Sequence, residues 1–102
     1  MERRMGISAV GIPWYKRSDY ARILEVMEDR DKLPLTFDKW QSKAEQIERQ
    51  TRTAGKIVAR AYIDPDHFVA WCAANGLHID SHARGMWASE VARDAFTGDR
   101  AQ

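Results

Sequence analysis

The apolar period of this chain changes at Gly55, and no other feature restricts its possible folds as much. Before the glycine, from about Phe37 to Ala54, the residues Phe37, Trp40, Ala44, Ile47, Thr51 and Ala54 recur at helical spacing. At about 100° per residue they fall within one arc of about 100°. Thr36 stands where an N-cap belongs, and Gly55 where a C′ residue ends a helix. Glu45 with Arg49 and Glu48 with Arg52 are i,i+4 pairs in the favourable order, expected on the wet side. After the glycine, "KIVARAYI" (Lys56 to Ile63) alternates. Ile57, Ala59, Ala61 and Ile63 point one way, and Lys56, Val58, Arg60 and Tyr62 the other, which is the pattern of a strand. A strand needs partners for its backbone donors and acceptors. Two are available: the N-terminal "GISAVGI", or the same strand of a second copy of the chain.

The remaining segments read as helices. Ser18 is placed to cap one from about Asp19 to Arg30, with Tyr20, Ile23, Leu24 and Met27 as its stripe and Pro34 as the breaker beyond it. In "AYIDPDHFVAWCAANGLHIDSHAR", Asp64 is an N-cap, Pro65 sits at N1 and Gly76 ends the helix. Phe68 to Ala74 is apolar on every face, so this short helix is expected at the buried centre. Asp80 caps a last helix of about Ser81 to Phe96. The expected fold is mainly helical α+β, a single domain over residues 1–102. About four helices surround Trp40 and Trp71, with one short strand pair.

Composition excludes several classes. Of 102 residues 44% are hydrophobic and 30% charged, a globular balance rather than a disordered one. A net charge of +1 supplies no global attraction to nucleic acid or a membrane. The one cysteine forms no internal disulfide, so nothing demands an oxidising compartment. "MERR" before "MGISAVGIPWY" has the look of a leader. The run nevertheless holds Gly6, Gly11 and Pro13, lacks a small-x-small cleavage site and is too short to span a bilayer. A cytoplasmic protein without a membrane partner is expected.

The chemistry-bearing residues crowd into residues 61–84, which hold Cys72, His67, His78 and His82. A nucleophilic cysteine needs a base and surroundings that favour thiolate, whereas an all-apolar helix favours the thiol. Cys72 therefore reads as a small buried hydrophobe. An enzyme would need His67 or His78 folded back onto its sulfur. His78 and His82 have i,i+4 spacing, but the cap at Asp80 separates them, and no metal signature accompanies them. "GISAVG" and "TAGKI" lack the residues of a phosphate loop, and no Gly-x-Ser-x-Gly elbow occurs. No catalytic residue, metal ligand or cofactor is assigned.

Charge is divided along the chain: residues 37–63 hold six bases against three acids, and residues 64–102 three bases against six acids. Such a division suits complementary contacts between chains. In the last helix Trp87, Ala88, Val91, Ala92, Ala95 and Phe96 spread over an apolar arc of about 180°, wider than one core contact needs. Met86 lies outside that arc beside Glu90 and Arg93. The expected function is a non-enzymatic interaction or regulatory protein, homodimeric through Met86, Trp87, Val91 and Ala95, with a further protein partner. An alternative comes from order alone: from Lys56 to Phe96 the chain runs strand, short helix, Gly-containing turn, longer helix. That resembles the ribbon–helix–helix DNA-binding fold, whose strands pair across a dimer and enter the major groove. The resemblance implies a DNA-binding regulator with Lys56, Val58 and Arg60 facing the groove.

Overall fold

A computed structural model describes residues 9–100, with side chains as far as Ala95, and these residues form two strands and four α-helices. Residues 1–8 of the leader-like start and the side chain of Phe96 lie outside what is described. The order is β1 (Ala9–Trp14), α1 (Tyr20–Val26), α2 (Phe37–Thr53), β2 (Ile57–Tyr62), α3 (Pro65–Ala74) and α4 (Ser81–Arg100). Short 3-10 turns at Arg17–Asp19 and Arg30–Lys32 flank α1. The mainly helical α+β class is thus the observed one.

β2 takes its partner from within the chain. It pairs in parallel with β1, with Ala9 opposite Ile57 and Trp14 opposite Tyr62. A parallel pair requires a long crossover, which the segment carrying α1 and α2 supplies. Pro13 is tolerated in β1 because a two-stranded sheet consists only of edges, where a missing N–H need not break a ladder. The alternation in β2 separates two surfaces. Ala59 and Ala61 share a face with Gly11 and Pro13, and α4 lies on that face. Arg60 shares the other with Ile12 and Trp14, and α2 lies there.

The α4 face is built from small residues on both sides. Ala83, Ala88 and Ala92 of the helix are at most 5% exposed, and Ala61 of the sheet is wholly buried. A Cβ added at Gly11 would overlap the Ala88 carbonyl and stand 2.6 Å from its carbon. Ala88 and Ala92 of the broad apolar arc are thus taken up by the protein's own sheet. The α2 face is aromatic: Trp14 meets Trp40 edge-on with centroids 5.2 Å apart, and Tyr15 lies 4.8 Å from Trp40. Such tilted and edge-on pairs add to the stabilisation from burial.

Local signals hold at several termini. The Thr36 hydroxyl accepts from the Lys39 N–H at 3.2 Å, the Asp80 carboxylate accepts from Ala83 at 3.2 Å, and Gly55 and Gly76 have φ of 89° and 67°. Asp64 precedes Pro65 as expected but makes no side-chain cap bond.

Three expectations are corrected. Ser18 caps nothing: the chain enters through the 3-10 turn, and α1 ends at Val26 rather than near Arg30. It ends there because Glu28 is drawn off to the loop before α4. The Glu28 N–H donates to the Ile79 carbonyl at 2.8 Å, and its carboxylate accepts from the Ile79 N–H at 3.1 Å. Arg30 then donates to the Leu24 and Glu25 carbonyls that the early stop leaves over. α3 is not the buried centre. Only Pro65, Phe68 and Cys72 are buried, while Ala70, Ala73 and Ala74 are exposed and Trp71 half-buried, because the fold covers just one of its faces. On α2 the buried stripe is rotated. Trp40 and Ala44 are inside as expected, but Ile47 is 50% exposed, Ala54 is exposed, and Glu48 is 3% exposed.

Two glycines provide opposite tests of the packing. Gly11→Ala is expected to destabilise by about 3 kcal/mol, since the methyl meets rigid helix backbone. Gly85→Ala, on the open side of α4 where an added Cβ meets nothing within 4 Å, should stabilise by about 0.5–1 kcal/mol. Urea denaturation of the two variants checks both signs.

Candidate functional site

The two buried charged groups, Glu48 and Arg84, each have a partner from elsewhere in the sequence. Glu48, brought inside by the rotation of α2, receives Arg60 of β2 in a two-point contact, Nε to Oε2 at 2.8 Å and Nη2 to Oε1 at 2.9 Å. The same guanidinium lies 4.0 Å above the Trp14 ring, and Arg52 stands 3.5 Å from Glu48. Arg60's charge is therefore engaged inside the chain, while Lys56 is exposed at the start of β2. The hydrogen bonds from Arg60 hold the Glu48 carboxyl below its ordinary range, against the opposing effect of burial.

A second pair joins α4 to the segment after α1. Arg84 donates Nη1 to Asp29 Oδ1 at 2.8 Å and Nη2 to Oδ2 at 3.1 Å, with side chains 9% and 11% exposed. Asp29 also accepts from the Ser81 N–H at 3.2 Å. Hydrogen bonding from Arg84 keeps the Asp29 carboxyl below its usual range. Neither pair is proposed by the local pattern. Glu48 lies only about 20° beyond Phe37 on the α2 wheel, which was a usable signal for a buried acid. Asp29 and Arg84 stand in unrelated segments, and nothing local links them.

The residues expected at an interface are divided by α4. Met86 is 38% exposed, Trp87 and Val91 are half-buried, and Ala95 is exposed. Trp87 is anchored: its indole N–H donates to the Tyr62 carbonyl at 3.2 Å, and its ring meets Trp71 at 5.3 Å and Phe68 at 5.8 Å. The outer flank holds Ser81, His82, Met86, Ser89, Glu90 and Arg93 around a shallow groove. With about 1.5 Å per helical residue and 3.3 Å per strand residue, the twenty residues of α4 outreach the six of each strand by about 10 Å. The stripe that buries Ala88 and Ala92 accordingly emerges as exposed Ala95.

The cysteine and histidines are dispersed. Cys72 is wholly buried, and burial pushes its thiol pKa up. His78 Nδ1 lies 3.2 Å from Glu28, His67 faces the Trp87 ring at 6.4 Å, and His82 is exposed on α4. Among the described residues no group of three or more His, Cys, Asp or Glu side chains is arranged to hold a metal, and no helix is long and apolar enough to cross a membrane.

Two outcomes follow. Because Asp29 and Glu48 titrate lower in the folded than in the unfolded chain, their stabilisation is present above the unfolded carboxylate range and is lost as pH falls through the folded values. The urea midpoint should be level above about pH 5 and fall below about pH 4, and Asp29→Asn should lower stability at pH 7 by about 3 kcal/mol while flattening that slope. Cys72→Ala should cost about 1 kcal/mol, and the native thiol should react with a thiol reagent only as fast as the chain opens. No family model, curated protein or solved structure matches this chain.

Proposed function

We propose that the protein is a non-enzymatic interaction module that works through protein–protein contacts as a homodimer, with α4 as the shared element. The observation that supports this reading is the emergence of the α4 stripe from the sheet. One flank carries the anchored Trp87, half-buried Val91 and exposed Ala95, and exposed Met86 lies beside it. Aromatic and methionine side chains with partial exposure are the usual anchors of such contacts. A second copy suits the surface because Glu90 and Arg93 follow Met86 on α4. In a twofold antiparallel pair of helices, each acid is then offered the other copy's base. A regulatory role and a cytoplasmic setting belong to the same reading, the dimer being the unit that engages a further protein.

Sedimentation equilibrium tests it. The wild type should be dimeric at tens of micromolar, and Met86→Asp should give a folded monomer whose thermal midpoint no longer depends on protein concentration. A wild type that is monomeric at that concentration would overturn the proposal.

A further inference from the structure

A groove of about 240 Å³ lies between the end of β1, the turn leading to Pro34 and α2, on the side of the molecule bearing Trp40. Its ionisable lining groups are Tyr15, Lys32, Lys43 and Arg84, and no carboxylate lines it. An all-donor lining with a cationic mouth is the chemistry of anion recognition.

The interior of the groove also contains polar capacity that the fold does not use. Tyr15 is 2% exposed, and its hydroxyl has no hydrogen-bond partner among the described residues, whereas the neighbouring Tyr20 hydroxyl donates to the Pro34 carbonyl at 2.6 Å. A buried hydroxyl without a partner costs free energy that a ligand acceptor would recover. Arg84 directs its Nη atoms to Asp29 and the Met27 sulfur. Of the five N–H bonds of a guanidinium, Nε–H and one on Nη2 have no acceptor among the described residues. Asp29 itself is not part of the lining. The lining also includes apolar residues, among them Ile12, Trp40, Ala44 and Ile47. The exposure of Ile47 on α2 is explained by its position at this opening.

We propose that the groove binds a small organic monocarboxylate, with the carboxylate accepting from the Tyr15 hydroxyl and Arg84 and a short apolar or aromatic tail lying on Trp40, Ala44 and Ile47. Lys32 and Lys43 at the mouth raise the local concentration of the anion without entering the buried contact. Burial holds the Tyr15 pKa up at about 12, with the charge of Arg84 pulling the other way, so the hydroxyl remains a donor throughout the neutral range. This site is separate from the α4 flank and does not depend on the dimer.

Titration of the full chain with sodium benzoate, followed by two-dimensional amide and indole NMR, tests the site. Benzoate should give saturable shifts at the Trp40 indole and along the groove, and benzamide, its neutral counterpart, should bind at least about tenfold more weakly. Tyr15→Phe should weaken benzoate about tenfold while the ligand-free melting temperature holds or rises, because the unpartnered hydroxyl is gone. Lys43→Gln, a surface change that leaves the fold intact, should weaken it about threefold and reduce its salt dependence. The proposal is overturned by the absence of saturable shifts at tens of millimolar benzoate. Equal binding of benzamide, phosphate binding as tightly as benzoate, or unchanged affinity in Tyr15→Phe would overturn it as well.

Discussion

The contact of the α4 backbone with Gly11 is the constraint on which the rest of the molecule depends. A two-stranded sheet is not stable in water by itself, and this one becomes stable by having a helix on each face. On one face the approach at Gly11 is so close that an added Cβ would overlap helix backbone, and α4 meets the sheet there with alanines. The other face then has to supply the bulk of the core, and it does so with Trp14, Tyr15, Tyr20, Phe37 and Trp40. Small residues on one side and aromatic residues on the other are one solution to the problem of filling a thin domain.

The buried ion pairs extend this arrangement. Arg60 with Glu48 ties β2 to α2, and Arg84 with Asp29 ties α4 to the segment after α1. Breaking either would leave an uncompensated charge in a poorly solvated place, so each pair specifies how its elements meet even where its net contribution to stability is small. The second pair also shapes the groove. By placing a guanidinium next to Tyr15 with N–H bonds left over, it puts polar capacity where the aromatic core alone would leave an apolar notch.

Surface and interior thus divide the chemistry of the chain. The cysteine has been absorbed into packing, and the histidines lie apart on the surface. What remains is one helix whose apolar stripe outruns its support, and one groove whose unspent groups are donors. The first suits another protein surface and the second a small anion.

The sequence by itself determined what depends on neighbours a few residues apart. Thr36, Gly55, Gly76 and Asp80 mark helix ends because capping and positive φ are local matters, and the alternation of KIVARAYI assigns residues to two faces for the same reason. The mainly helical α+β class follows from those signals. Only the tertiary structure decided which apolar surfaces are covered. α3 is apolar all round yet buries one face. Ile47 is left out and Glu48 taken in because an arginine on β2 supplies the compensating charge. Ala88 and Ala92 of α4 face a sheet rather than a second helix. Asp29 and Arg84 find each other across 55 residues of chain. Burial and charge pairing are properties of the assembled surfaces, and a local pattern holds no record of what will lie opposite.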